Sequence, residues 1–168
     1  MPEVKPGLPN EKRERMKISA EGTARIKRYE SCVLTIYKDA AGLPTIGYGH
    51  LLTIGEKNNR MFEGGISQQE AEALLLVDLI PAETAVNKLV TVPLTQPQYD
   101  SLVSFTFNCG VGALNSSSLL KSINKLASNS EITNNILKWN KITDAKTGKL
   151  IVSNGLTKRR LDEAKAWA

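Results

Sequence analysis

Residues 30–50 read ESCVLTIYKDAAGLPTIGYGH, and this stretch decides the fold. The run at residues 34–37 is β-branched and aromatic, which is typical of a strand. The small residues 40–42 (Ala-Ala-Gly) favour a turn, and residues 45–50 return as a second strand-like run. The stretch therefore predicts a hairpin or a small three-stranded sheet that ends near Leu52.

Helical patterns flank this segment on both sides. Ser19 is a candidate N-cap for a helix of about residues 20–31. Residues 67–70 (Ser-Gln-Gln-Glu) form a capping box, which starts a helix that runs to about residue 80. Pro81 is expected to end or bend that helix, because proline lacks the N–H that an interior helical position donates. Residues 55–65 are interpreted as a loop.

The chain beyond Pro81 reads as helical, apart from a polar turn at residues 144–149. The sequence therefore predicts an α+β protein with a small mixed lobe, a helical lobe and a cleft between them, where a ligand would bind. The predicted boundaries are a flexible basic extension at 1–17, a single domain at 18–168, a small lobe at about 32–66, a linking helix at about 68–80 and a helical lobe at about 82–168.

Composition excludes several classes of protein. With 41% hydrophobic and 23% charged residues in 168 positions, the chain is typical of a globular domain and not of a disordered one. No apolar run reaches the roughly 18 residues that span a bilayer, and residues 1–17 lack the apolar stretch of a secretory signal. The net charge of +5 favours an anionic partner, either nucleic acid, lipid or cell wall.

Two carboxylates occupy apolar helix faces. At helical spacing, Glu30 lies in one stripe with Ile26 and Tyr29, where a carboxyl group would resist ionisation and suit general-acid chemistry. The alternative is that Glu30 turns out to solvent at the helix end. Asp78 likewise lies on the apolar face of its helix, and His50, the only histidine, is its expected partner in a structural ion pair.

The spacing of three polar residues carries a family resemblance. Glu30 is followed nine residues later by Asp39, six residues after that by Thr45, and then by Ile-Gly-Tyr-Gly-His at 46–50. This pattern resembles the phage-type lysozymes, the endolysins of glycoside hydrolase family twenty-four. Further resemblance covers residues 67–78 and 98–110, together with the Gly-Leu-x-x-Arg-Arg-x-x-Glu pattern at 155–163. Ser31 departs from the glycine common in the family, and Pro81 is a second departure.

The resemblance implies a lysozyme-like fold and a muramidase. It implies that Glu30 is the general acid, that Asp39 is the base that holds an attacking water, and that Thr45 assists Asp39 in an inverting mechanism. It also implies a structural pair of His50 with Asp78. No metal and no cofactor is implied.

Other implied properties concern substrate, partners and location. Leu51, Phe107 and Asn108 would contact the saccharide. The alternative is a core position, which is favoured for Phe107 and less so for Asn108. Arg159 or Arg160 would contact the acidic wall or fix Glu30 through an ion pair, with a solvated basic face as the alternative. The expected partner is bacterial peptidoglycan, with no nucleic acid, no stable membrane insertion and a monomeric state. The protein is expected in the host cytoplasm until a separate holin releases it to the cell wall.

Two rival functions remain open at this point. A lytic transglycosylase also needs an acidic glutamate, but it forms an anhydro product and does not need Asp39. A non-catalytic wall-binding phage component would keep the fold without the activity.

Overall fold

A computed structural model describes residues 14–168, and residues 1–13 lie outside the described part. The elements follow one another in an order of helix, sheet, helices, hairpin and helix. In chain order they are α1 (Ala20–Tyr29), β1 (Val33–Lys38), β2 (Pro44–Gly47), β3 (His50–Leu51), α2 (Ile54–Asn58), α3 (Gln68–Leu89), α4 (Gln96–Cys109), α5 (Val111–Ser116), α6 (Ser118–Asn124), α7 (Asn129–Leu137), β4 (Lys141–Thr143), β5 (Leu150–Val152) and α8 (Asn154–Ala164), which a short 3₁₀ turn (Lys165–Trp167) follows.

The small lobe is built on an antiparallel sheet in the order β1-β2-β3. Tyr37 pairs with Thr45 across β1 and β2, and Ile46 pairs with His50 across β2 and β3. The prediction of a three-stranded sheet is thus confirmed. The expected loop at 55–65 was partly wrong, because α2 begins there on a capping box in which Thr53 and Glu56 satisfy each other's backbone N–H groups.

The connection between the lobes is the 22-residue helix α3. It starts at the predicted capping box of Ser67 and Glu70, but Pro81 does not end it, and the helix continues to Leu89. The physical reason lies in the faces of the helix. Pro81 is exposed, and Val77, whose carbonyl loses the bond, is also exposed, so water can replace that hydrogen bond.

The helical lobe is organised around α4. Every residue from Tyr99 to Thr106 is buried, so this helix is enclosed by its neighbours on all sides. The apolar core is continuous from the sheet to the C-terminus, since Ile46, Leu75 and Trp167 belong to one cluster. The predicted α+β fold with its helical lobe is therefore confirmed.

The chain before α1 is attached to the helical lobe. Met16 donates its N–H to Asn87 and accepts a hydrogen bond from the Tyr99 hydroxyl, while Gln96 donates to the carbonyl of Lys17. The last residues of the expected extension at 1–17 therefore lie against α3 and α4; residues 1–13 of it lie outside the described part. No helix within residues 14–168 is long and apolar enough to cross a membrane.

Candidate active site

Glu30 lies at the point where α1 ends and the small lobe begins. It is the C-cap residue of α1, and its backbone N–H bonds to the carbonyl of Ile26. Its side chain is one-quarter exposed, and its Oε1 lies 2.7 Å from Nη1 of Arg159 on α8. A cation, rather than the apolar stripe expected from the sequence, is therefore the immediate neighbour of the Glu30 carboxylate.

The same contact decides between the alternatives for the two arginines of α8. Arg159 is 4% exposed and Arg160 is fully buried, so neither belongs to a solvated basic face. The alternative of a solvated basic face is therefore wrong for both arginines, and the expected ion pair with Glu30 is formed by Arg159. The reason is that each guanidinium has internal partners: Arg159 pairs with Glu30, and Arg160 donates to the side-chain oxygen of Asn108 at 2.6 Å.

A buried carboxylate, Glu163, completes this cluster and has no role in the sequence-based interpretation. Its Oε1 accepts a hydrogen bond from the Ser104 hydroxyl at 2.7 Å and lies 3.4 Å from Nε of Arg159. Its Oε2 lies 3.0 Å from Nε of Arg160. Burial raises the pKa of Glu163, and the charges of Arg160 and Arg159 and the Ser104 hydroxyl act in the opposite direction. The sequence does contain a signal for this contact. Glu163 follows Arg159 by four residues and Arg160 by three, so on a helix it can pair with both.

Tyr29 also connects α1 to α8. Its hydroxyl donates to Oδ2 of Asp162 at 2.9 Å, and its ring lies 5.3 Å from the guanidinium carbon of Arg159. Burial and the hydrogen bond to Asp162 raise the pKa of Tyr29 to about 12. Tyr29 therefore remains a neutral hydrogen-bond donor beside the cluster at physiological pH.

Asp39 and Thr45 both form hydrogen bonds with the backbone of Leu43. Oδ1 of Asp39 accepts the N–H groups of Ala41 at 2.9 Å and Leu43 at 2.8 Å, which fixes the carboxylate in the turn between β1 and β2. The carbonyl of Leu43 accepts the Asp39 N–H at 3.0 Å and the Thr45 hydroxyl at 2.9 Å. The structure thus brings Asp39 and Thr45 together, with the threonine proton directed to Leu43.

The three expected saccharide contacts lie in different environments. Leu51 is half exposed in β3, where it pairs with Thr45. Phe107 packs against the apolar core as a partly buried residue, which favours the core alternative for much of its ring. Asn108 is exposed at the end of α4, and Arg160 fixes its side-chain oxygen.

His50 lies between two carboxylates. Its Nδ1 is 2.9 Å from Oδ2 of Asp78, the expected partner, and its Nε2 is 3.1 Å from Oε2 of Glu56. Burial lowers the pKa of His50, but the hydrogen bonds and charges of Asp78 and Glu56 outweigh it, and the net pKa is raised. Burial raises the pKa of Glu56, but the hydrogen bonds from Thr53 and His50 outweigh it, and the net pKa is lowered. Glu56 was not predicted as a partner of His50, although the Thr-x-x-Glu pattern at 53–56 is that of a capping box.

Comparison with known proteins places this arrangement in a family. Residues 27–163 match the family model described as phage lysozyme, and this range includes Glu30, Asp39 and Thr45. An endolysin of Acyrthosiphon pisum secondary endosymbiont phage 1 is 40% identical over 151 residues, covering 88% of this chain and 95% of that endolysin. The similarity therefore extends over nearly the whole length of both chains.

Solved structures agree. An endolysin from Escherichia coli O157:H7 phage FAHEc1 superposes with a TM-score of 0.78 at 37% identity, covering 90% of this chain and 93% of that one. The muramidase domain of SpmX from Asticaccaulis excentricus gives 0.79 at 34% identity, covering 91% and 98%. The fold is that of the lysozymes, and the protein is a glycoside hydrolase of the lysozyme or muramidase class. The chain belongs to the phage lysozyme family.

Proposed function

We propose that the protein is an endolysin that hydrolyses the β-1,4 bond between N-acetylmuramic acid and N-acetylglucosamine in bacterial peptidoglycan. The observation that carries this proposal is the pair of carboxylates in contrasting surroundings. Glu30 pairs with a buried arginine at a helix end, whereas Asp39 is fixed by two backbone N–H groups in a turn. Two carboxyl groups with different environments are suited to separate acid and base roles.

In the proposed reaction, Glu30 donates a proton to the bridging oxygen as the bond from that oxygen to the sugar C1 breaks. A water attacks C1 from the opposite face and gives its proton to Asp39. The oxygen of Thr45, whose proton is already donated to Leu43, is an acceptor for the second hydrogen of this water. Proton exchange with solvent then restores both carboxyl groups.

Attack from the face opposite the leaving oxygen inverts the anomeric centre. An inverting enzyme keeps its two carboxyl groups about 6.5–9.5 Å apart, which leaves room for the water. Digestion of a β-linked glycan followed by proton NMR should therefore reveal the α anomer of the new reducing end first. Initial appearance of the β anomer would contradict the inverting mechanism.

The deciding experiment digests purified peptidoglycan sacculi with the parent protein and with Glu30→Gln, Asp39→Asn and Glu131→Gln. Removal of a general acid should reduce the rate at least about a hundredfold. Glu131→Gln is the matched control, because Glu131 is a surface residue on α7 that pairs with Lys125. Product masses should correspond to hydrolysis, with one water added for each bond that is cleaved.

The same experiment separates the two rivals. Anhydromuramoyl ends as the main product, with Asp39→Asn still active, would indicate a lytic transglycosylase. Binding to sacculi without release of saccharides would indicate a non-catalytic wall-binding component.

For the biological role, we propose lysis of the bacterial host after release from the cytoplasm by a separate holin. The positive net charge of +5 supports retention on the anionic wall. Expression in a bacterial host should cause lysis only when a membrane-permeabilising protein or chloroform is also supplied. Lysis on expression of the protein alone would contradict the need for a holin.

A further inference from the structure

The Glu163 side chain is 1% exposed. Its carboxylate and that of the proposed acid contact the same arginine. Arg159 connects them, since its Nη1 is 2.7 Å from Glu30 and its Nε is 3.4 Å from Glu163. Ser104 is the third fixed point: its hydroxyl donates to Glu163, and its carbonyl lies 3.4 Å from Nη2 of Arg159. The guanidinium is thus held on three sides by α1, α4 and α8.

This arrangement raises an electrostatic difficulty for the proposed reaction. Nη1 of Arg159 puts a positive charge 2.7 Å from Oε1 of Glu30, whereas a general acid must be neutral and carry its proton. Arg160 adds a second positive charge on the same helix. Without a further anion, these two arginines would put two positive charges into the cluster that contacts Glu30. Both arginines are buried, so solvent ions screen their charges weakly.

We propose that Glu163 is a positioning residue for Glu30: it fixes Arg159 in contact with the acid, and its negative charge offsets one of the two guanidiniums, so that Glu30 can carry a proton. This inference rests on the proposed function of Glu30. The count of charges supports it, because Arg159, Arg160 and ionised Glu163 together carry one net positive charge, whereas the two arginines alone carry two.

Other charged and titratable groups pack around Glu30, Arg159, Arg160 and Glu163, and they also contribute to the net charge near the proposed acid. From α1 they are Tyr29 and Arg25, from α4 Cys109, and from α8 Asp162. Asp162 is held by Tyr29 and Lys165, and Arg25 lies 3.8 Å from Asp162. Arg25 also lies 3.9 Å from Glu21. Two cations and two carboxylates therefore leave this second group without net charge, so it does not alter the balance that Glu163 sets.

The test is the pH dependence of kcat/KM on soluble peptidoglycan fragments for the parent and for Glu163→Gln. Loss of the anion should favour ionised Glu30, so the alkaline limb should move to lower pH by about one unit. Activity on that limb should fall about tenfold as a result, while activity on the acid side is retained. A merely structural role would lower the activity at every pH by the same factor.

Two further variants control this result. Glu163→Asp keeps the charge and should restore the position of the alkaline limb, even where its shorter side chain lowers the melting temperature. Glu131→Gln makes the same chemical change in an exposed pair with Lys125 and should leave the profile unchanged. An alkaline limb that is identical in Glu163→Gln and the parent would overturn the proposal, because Glu163 would then carry no charge that acts on Glu30.

A measurement independent of activity separates this inference from the proposed function. In protein labelled with ¹³C at glutamate side chains, the Glu30 carboxyl resonance is identified by its loss in Glu30→Gln. Its titration midpoint should move to lower pH in Glu163→Gln whether or not the protein cleaves peptidoglycan.

A second variant covers the case in which Glu163→Gln does not fold. Ser104→Ala removes the hydroxyl that donates to Glu163 at 2.7 Å, and it should move the midpoint in the same direction by a smaller amount. An unmoved midpoint in the folded variant would overturn the proposal.

Discussion

Nη1 of Arg159 lies 2.7 Å from Oε1 of Glu30, although the two residues are 129 positions apart in the chain. The contact joins the last helix to the end of the first one, where the small lobe begins. It is formed by a guanidinium that is 4% exposed, so its loss leaves charges in a place that water reaches poorly. The pair therefore links the stability of the fold to the geometry of the proposed acid.

Replacement of Arg159 with methionine should lower the free energy of unfolding by about 3–5 kcal/mol, because it leaves buried Glu163 with fewer partners. Urea unfolding at pH 7 measures the change. Lys165→Met is the matched control, since Lys165 is three-quarters exposed in its pair with Asp162 and should cost about 0–1 kcal/mol. Equal losses for the two variants would mean that the Arg159 pairs contribute no more than a surface ion pair.

The two carboxylates that contact His50, those of Asp78 and Glu56, predict a pH-dependent stability. Because the folded pKa of His50 is raised above its usual value of about 6.5, the protonated ring stabilises the folded state below that pH. This contribution is lost as pH rises through the raised folded value. His50→Asn should therefore lower the melting temperature more at pH 6 than at pH 9.

Glu56→Gln provides the control for that experiment. It removes one of the two carboxylates that face His50 and keeps the ring, so the stability difference between pH 6 and pH 9 should shrink without disappearing. Asp78→Asn should have a larger effect of the same sign, since Asp78 contacts Nδ1 with both oxygens. Equal losses of His50→Asn at the two pH values would exclude the charged pair.

Gly22 is required by the close approach of α1 and α4. A Cβ at this position would lie 2.6 Å from Cγ of Asp100. Asp100 is itself fixed, since it accepts bonds from the backbone and hydroxyl of Ser19, the N-cap of α1. Gly22→Ala should destabilise the protein by about 1–3 kcal/mol through overpacking, despite the better helix propensity of alanine.

Gly155→Ala is the matched substitution for Gly22→Ala. Gly155 also lies in a helix, but its nearest neighbour would be the Ser153 hydroxyl at 3.8 Å, an ordinary contact. It should leave the free energy of unfolding unchanged or raise it by up to about 1 kcal/mol. A stabilised Gly22→Ala variant would show that α1 and α4 can separate without cost.

Local patterns were sufficient for the elements that depend on neighbouring residues. The β-branched run at 34–37 and the turn at 40–42 predicted the hairpin, and the capping box at Ser67 predicted the start of α3. The expected pairing partner of Asp78 also followed from local reasoning, because one histidine was available and one carboxylate lay on an apolar face. The lysozyme-like assignment came from the spacing of Glu30, Asp39 and Thr45.

Contacts between distant segments could not be obtained in this way. Whether Arg159 faces solvent or Glu30 depends on how α8 packs against α1, and the helix pattern permits both. Glu56 was missed because its capping box starts a helix of only five residues, which is too short to stand out from a loop. Glu163 was part of the recognised pattern, but its role required the position of Ser104, 59 residues earlier.

Pro81 shows how tertiary packing overrides local preference, and it gives a last prediction. An interior proline costs a helix about 3 kcal/mol relative to alanine, yet α3 continues because Leu79, Ala82 and Val86 are buried on its other face. Pro81→Ala restores the hydrogen bond to Val77 but loses the restriction that proline places on the unfolded chain, worth about 1 kcal/mol. We expect the free energy of unfolding, measured with urea, to rise by about 1–2 kcal/mol.

Thr84→Ala is the control for Pro81→Ala. Thr84 is on the same exposed side of α3, and its replacement should change the free energy of unfolding by no more than about 0.5 kcal/mol. A loss of stability in Pro81→Ala would mean that the packing of α3 between the lobes depends on the backbone geometry that proline imposes.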